Sequence, residues 1–274
     1  EVAAGLARLG LVPGDGMALM LPNSRELILG ILAAFRLGLV VVPIPLTFAQ
    51  AQIGFVLSHT GARALFTTPG CLNVLSDEQS DRLEHIIVRG NAGHGHMCYN
   101  DLLGSRREAP PLSAYDQAAL VVFTSGTTGA PKGACHTQAS LVARTKAFIE
   151  TMELGPGEST LTVFPATRPV VLVSQVLAML GCGGRIVLYE RLEPEEFWTA
   201  YTRSKPTYSL LVPAYARRIF AHEMATSTDH SRLRFWLTGG DQPGVELLRQ
   251  VREKTGRPLL NMFGMTETGI LALH

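Results

Sequence analysis

The sequence predicts an α/β fold made of two adjacent subdomains, each built on a mainly parallel sheet flanked by helices. Three observations carry that expectation. Short apolar clusters rich in Val, Leu, Ile and aromatics alternate with segments whose apolar residues recur at helical spacing. Asn23 followed by Glu26 gives a capping-box-like helix start, and Gly38 stands where the same helix needs its C-terminal cap. A Gly- and Pro-bearing connection over 90–114 has little strand or helix signal, and it divides the chain into a first subdomain over 1–112 and a second over 113–274.

The elements follow in order. Strands are expected over 17–21, 39–42, 64–67 and 85–88, with the capped helix over 26–37 between the first two. Beyond the connection, strands are read over 119–123, 160–164, 185–189, 207–212 and 234–238. Helical spacing marks 172–180, 195–204, 214–223 and 245–255. Strands separated by helices of this length pair in parallel.

Composition narrows the function. The 274 residues carry 24 Lys and Arg against 23 Asp and Glu, a formal charge of +1, with no basic block to neutralise phosphates, so a nucleic-acid partner is not expected. Apolar residues make up 46% and charged residues 17%, which excludes global disorder. The longest apolar stretch, 27–48, is broken by Arg36, Pro43 and Pro45, short of the roughly 18 uninterrupted apolar residues of a membrane span. Cys71, Cys98, Cys135 and Cys182 lie far apart with no C-x-x-C pair, which fits a reducing compartment and a cytoplasmic location. There is no initiator Met and no leader, and the chain opens inside a helical pattern, so it is expected to be a piece of something longer.

The most informative stretch is VVFTSGTTGAPKG, from Val121 to Gly133, where a buried strand runs into small and hydroxylated residues and then a lysine. Gly126, Gly129 and Gly133 let backbone N–H groups approach an anion, Thr124, Ser125, Thr127 and Thr128 offer hydroxyls, and Lys132 adds charge. This is a phosphate cradle, but not a Walker A loop, because Ala130 and Pro131 separate Gly129 from Lys132. It is not a nucleophile elbow either, since Phe123 and Thr127 stand where glycines are required. A second stretch, NMFGMTETG over 261–269, presents an amide, a ring, a hydroxyl and a carboxylate; one carboxylate near phosphates suits Mg²⁺. A third, Thr238-Gly239-Gly240-Asp241, has the shape that lets a flat ring lie against backbone.

Taken in this order, the three motifs resemble those of the adenylate-forming enzymes, the superfamily of acyl-CoA synthetases, nonribosomal-peptide adenylation domains and beetle luciferase. The match to TSGTTG-x-PKG is highly specific, and the resemblance extends along the chain, since AGLARLGLVPGDGMALMLPN over 4–23 is similar to the family's early helix–strand segment. It implies a truncated N-terminal domain of that fold. It also implies a phosphate loop over 124–132, with Thr124, Ser125, Gly126, Thr127, Thr128, Gly129 and Lys132, and an adenine-binding stretch at Gly239, Gly240 and Asp241. Asn261 would meet the exocyclic amine, Phe263 would stack on the base, Thr266 would contact the α-phosphate and Glu267 would ligate Mg²⁺. The implied reaction is ATP-dependent activation of a carboxylic acid as acyl adenylate, followed by transfer to coenzyme A. The acid attacks as a ready-made anion, so no general base is needed, and charge stabilisation does the work.

Departures from the family pattern remain. Gln138 occupies the usual histidine position after the loop, and Arg168 follows Phe164-Pro165-Ala166-Thr167 where another histidine is usual; Arg168 reads either as a contact for an anionic substrate or as a surface ion-pair residue. The chain ends before the family's ribose-binding aspartate and C-terminal domain, whose lysine promotes adenylation, so little activity is expected of these residues alone. An amino-acid adenylation domain and a truncated nucleotide-binding pseudoenzyme stay open as alternatives. His94, His96 and Cys98 have metal-like spacing without a fourth partner nearby and read as loop. The apolar segment 170–180 could border an acyl tunnel, but such a stripe more often reads as core.

Overall fold

A computed structural model describes residues 1–93, 95–103, 116–124 and 131–274. The chain divides into two compact units, Glu1–Leu141 and Val142–His274, each an α/β layer structure on a mainly parallel sheet. The expected division at 112/113 falls before residues 118–137, which pair into the first sheet.

In the first unit the strands are β1 (Gly16–Met20), β2 (Val40–Pro43), β3 (Ala62–Thr67), β4 (His85–Val88), β5 (Met97–Cys98), β6 (Ala118–Thr124) and β7 (Lys132–Thr137). Their spatial order is β5-β4-β3-β1-β2-β6-β7, parallel throughout except where β7 returns antiparallel to β6. All of β1 is buried, as a central parallel strand covered on both faces must be. The helix Arg25–Leu37 buries Leu27, Ile28, Ile31, Ala34 and Leu37 along one stripe. Gly30 sits on that stripe because a Cβ there would lie 3.1 Å from the Phe66 ring. The helix starts one residue later than the Asn23 reading: Ser24 is the N-cap, its hydroxyl accepting from Leu27 N at 3.1 Å. Gly38 closes the helix at φ +74°, as the sequence implied. The 90–114 connection, expected to be irregular, contains β5 and a helical turn over Tyr99–Leu102, and Tyr99 stacks on Phe66 at 5.2 Å.

The second unit contains β8 (Ser159–Thr162), β9 (Arg185–Leu188), β10 (Tyr208–Leu210), β11 (Phe235–Gly239), β12 (Leu259–Met265) and β13 (Gly269–Leu273), in the order β13-β12-β11-β10-β8-β9. Only the β12–β13 pairing is antiparallel. Side chains alternate across β11: Trp236 enters a core with Phe197, Trp198, Tyr201 and Phe220, while Phe235 and Leu237 face a second core with Phe148, Met179, Tyr208 and Met262. Helices Pro194–Ser204, Pro213–Ala221 and Val245–Thr255 cover the first of these faces. The expected helix over 172–180 is there, but its middle, Leu172–Leu177, is a π-helical turn in which buried Gln175 donates to Thr160 Oγ1 at 2.5 Å.

Candidate functional site

In the second unit β8, β10, β11 and β12 run in parallel, so Thr162, Leu210, Gly239 and Met265 end on one edge of the sheet. Open α/β sheets bind ligands at that carboxyl edge, where strands give way to turns. Two of the three sequence motifs meet there. The β11–β12 register pairs Thr238 with Asn261 and Gly239 with Met262, which brings the 238–241 and 261–267 stretches side by side.

The local chemistry is that of a site and not of a core. Gly239 lies so close to β12 that a Cβ would stand 3.0 Å from the Met262 carbonyl, and Gly240 turns the chain at φ +85°. Asp241 is exposed, its Oδ1 accepting from Gln242 N at 2.7 Å. Residues two apart on a strand share a face, so Asn261 and Phe263 point the same way while Met262 turns into the core. The Phe263 ring is 63% exposed, the opposite of what an aromatic side chain does in a core. Thr238 Oγ1 and Asn261 Oδ1 are both buried with no hydrogen-bond partner among the described residues. Such atoms cost free energy unless a ligand or water meets them. β12 then turns back into β13 through Thr266, Glu267 and Thr268, with Glu267 exposed and Thr266 half-buried at the tip. Gly264 is required inside this hairpin, because a Cβ there would stand 2.1 Å from the Gly269 carbonyl.

Two other groups stand near this edge. Arg168 is exposed in the turn after β8, its backbone carbonyl accepting from Leu172 N at 2.8 Å, and its side chain forms no ion pair among the described residues. Phe164 meets Tyr215 edge-on at 5.5 Å; burial pushes the Tyr215 hydroxyl up to about 12 while it donates to the Leu192 carbonyl at 2.6 Å. The Phe164–Tyr215 pair was not legible in the sequence, since Phe164 lies in the segment before Arg168 but no motif contains Tyr215.

The phosphate-loop residues belong to the first unit. Thr124 and Lys132 are register partners at the open end of the β6–β7 pair, where Thr124 Oγ1 donates to the Lys132 carbonyl at 3.4 Å and the lysine is exposed. Gly133 follows because a Cβ there would press on Val121 at 2.9 Å. Ser125, Gly126, Thr127, Thr128 and Gly129 lie outside the described residues, as does His94. Gln138, in the usual histidine position, donates its amide to the Phe35 carbonyl at 2.5 Å within the first unit. Among the described residues no group of three or more His, Cys, Asp or Glu side chains is placed to hold a metal, and all four cysteines are free thiols. None of the described helices is long and apolar enough to cross a membrane.

Comparison with known proteins adds to this geometry. The family model described as AMP-binding enzyme matches residues 1–274. An indoleacetate–CoA ligase of Aromatoleum aromaticum is 27% identical over 278 residues, covering 100% of this chain and 54% of that protein. A feruloyl-CoA synthase of an Amycolatopsis species is 28% identical over 276 residues, with the same 100% and 54% coverage. The crystal structure of an anthranilate CoA ligase in complex with anthranoyl-AMP superposes with a TM-score of 0.92 at 20% identity, over 99% of this chain and 54% of that one. The chain thus spans about half the length of the relatives it matches.

Proposed function

The chain belongs to the AMP-binding enzyme family, and on that premise we propose that it supplies the nucleotide-binding part of a ligase that activates a carboxylic acid with ATP and passes the acyl group to coenzyme A. The observation that carries this reading is the pairing of an exposed aromatic ring, Phe263, with the unpartnered amide oxygen of Asn261 on one face, beside two glycines. An adenine supplies what that surface lacks: a flat face for the ring and an exocyclic amine for the oxygen. The names of the relatives, an indoleacetate–CoA ligase and a feruloyl-CoA synthase, support coenzyme A as acceptor and an acid that carries an aromatic ring as substrate.

The roles follow from the residue chemistry. Gly239 and Gly240 leave room for the base along the backbone, with Asp241 at the rim. Thr266 donates its hydroxyl to the α-phosphate. Lys132 and the hydroxyls and N–H groups of Thr124, Ser125, Gly126, Thr127, Thr128 and Gly129 meet the phosphates that leave as pyrophosphate. The acid's carboxylate oxygen attacks the α-phosphorus, the bond to the pyrophosphate oxygen breaks, and the thiol of coenzyme A then displaces AMP from the acyl adenylate. A lone carboxylate, Glu267, beside the hydroxyl of Thr266 fits Mg²⁺, which takes one or two protein oxygens and fills its shell with water and substrate phosphates. Bound there, the ion would neutralise phosphate charge that grows in the transition state.

Equilibrium titration of AMP into the 274-residue chain tests the nucleotide part. Asn261→Ala and Phe263→Ala should each weaken AMP binding about tenfold, the scale of one lost hydrogen bond or stacking contact, while Lys132→Ala leaves it unchanged because AMP lacks the departing phosphates. Acid-dependent exchange of labelled pyrophosphate into ATP by the full-length protein tests the chemistry. Glu267→Gln and Lys132→Ala should slow it by roughly 30 to 150-fold. Undiminished exchange in both variants would overturn the assignment.

A further inference from the structure

Helix Gln138–Thr151 brings one residue to the Thr266–Glu267 turn that no motif contains. Arg144 Nη2 donates to the backbone carbonyl of Glu267 at 3.1 Å, across 123 residues of sequence. Its side chain also lies along Gly269, where a Cβ would come within 3.0 Å of Arg144 Cδ, 3.2 Å of Nε and 3.3 Å of Nη1. Gly269 adopts φ +75°, and its carbonyl packs on Gly264, so the two glycines and the arginine form one close-packed stack under the turn. The helix is itself anchored by buried Leu141, Thr145 and Phe148. Burial lowers the pKa of the Arg144 guanidinium from its ordinary value.

We propose that Arg144 is a positioning residue that holds the Glu267 peptide, and through it the carboxylate of Glu267, in the orientation that receives a metal-bound nucleotide. This rests on the function proposed above. The ladder between β12 and β13 ends at the Met265–Gly269 pair, so residues 266–268 have no strand partner. A charge-assisted hydrogen bond from a helix fixes what the ladder leaves loose, since a carboxylate can swing only as far as its own backbone allows. Arg144 does not touch nucleotide in this reading. Its removal therefore affects the metal-dependent part of binding and spares the adenine contacts made by Asn261 and Phe263.

Two measurements on the 274-residue chain decide it, with wild type, Arg144→Met and Arg144→Lys compared after circular dichroism has verified folding. Amide hydrogen exchange of a peptide covering 264–270 should be about tenfold faster in Arg144→Met, the scale of one lost charged hydrogen bond. The Mg²⁺ concentration for half-maximal ATP binding should rise about fivefold or more, whereas AMP affinity measured without metal stays within about twofold; Arg144→Lys, which keeps a cationic donor, should recover part of both changes. Unchanged exchange in Arg144→Met would overturn the proposal. So would faster exchange with an unmoved Mg²⁺ requirement, which describes a merely structural contact, or an equal loss of AMP and Mg-ATP binding. If the wild-type chain bound no nucleotide, the proposed function would fall separately, and the exchange comparison would still decide whether Arg144 holds the turn.

Discussion

Trp198 and Phe263 are both large aromatic residues of the second unit, and the fold treats them in opposite ways. Trp198 is fully buried, packed edge-on against Phe197, Phe220 and Trp236, with its indole N–H donated to the Ile219 carbonyl at 3.0 Å. Phe263 is 63% exposed. Polar groups divide in the same way. In the aromatic core, Tyr201 donates to His230 Nδ1 at 3.0 Å, His230 Nε2 meets the Ala225 carbonyl at 2.9 Å, and Trp236 Nε1 donates to Thr255 at 3.3 Å. At the sheet edge Thr238 Oγ1 and Asn261 Oδ1 have no such partner. The aromatic core pairs its own hydrogen-bonding groups, while the edge beside Phe263 leaves an aromatic face, a hydroxyl and an amide oxygen open, groups that a ligand can meet.

The largest expected effect tests this contrast directly. Trp198→Ala should cost about 3–5 kcal/mol of stability, from lost burial plus the cavity left behind, whereas Phe263→Ala should stay within about 0.5 kcal/mol because the ring is already in water. Denaturant midpoints of the two variants give the comparison, and similar losses would break it. A smaller effect separates steric need from conformational need among the glycines. Gly264→Ala drives a Cβ into the Gly269 carbonyl and should cost about 1–3 kcal/mol. Gly240→Ala meets no atom within 4 Å and should cost about 1–2 kcal/mol, for the left-handed backbone alone. Thermal midpoints should rank them in that order; the reverse ranking would mean that the β12–β13 hairpin moves aside freely.

The smallest effect concerns His230. Burial lowers its pKa below the ordinary 6.5, so the neutral ring is the form the core holds, accepting from Tyr201. Between the folded pKa and 6.5 the unfolded chain binds more protons, so the histidine's contribution is present in full above pH 6.5 and is lost as pH falls through the folded pKa. Stability measured from pH 8 to pH 5 should therefore decline more steeply in wild type than in His230→Gln. Parallel curves would show that the Tyr201–His230 pair does not set the acid sensitivity of this core.

Much of this was legible along the chain, for local reasons. The β1, β2, β3, β4, β6, β8, β10 and β11 strands were visible as apolar clusters because they lie inside the sheets, where strands need apolar runs, and the edge strand β9 was visible because RIVL is itself apolar. β7 was not, because KGACHT is an edge strand with Lys132, Gly133 and Cys135 exposed. The β13 half of the β12–β13 hairpin escaped for the same reason: GILAL sits at the sheet edge, and its pairing is set by β12, not by its own alternation. The helix cap moved from Asn23 to Ser24 because either side chain suits an N-cap, and only the docked helix decides which one meets Leu27 N.

The sequence by itself determined what short-range sterics and periodicity control: the α/β class, the helix-closing glycine at Gly38, and the order along the chain of the loop, the Gly239–Gly240 stretch and the Thr266–Glu267 turn. Those features depend on neighbours a few residues away, so they are written locally. Only the tertiary structure decided that Asn261 lies beside Thr238 with neither oxygen partnered, that Phe263 stays exposed while Trp198 is buried, and that Arg144 reaches the Glu267 carbonyl from 123 residues away. Each of these depends on which strands become neighbours and where a sheet ends, and a cooperative core sets that through contacts among distant residues that no local window contains.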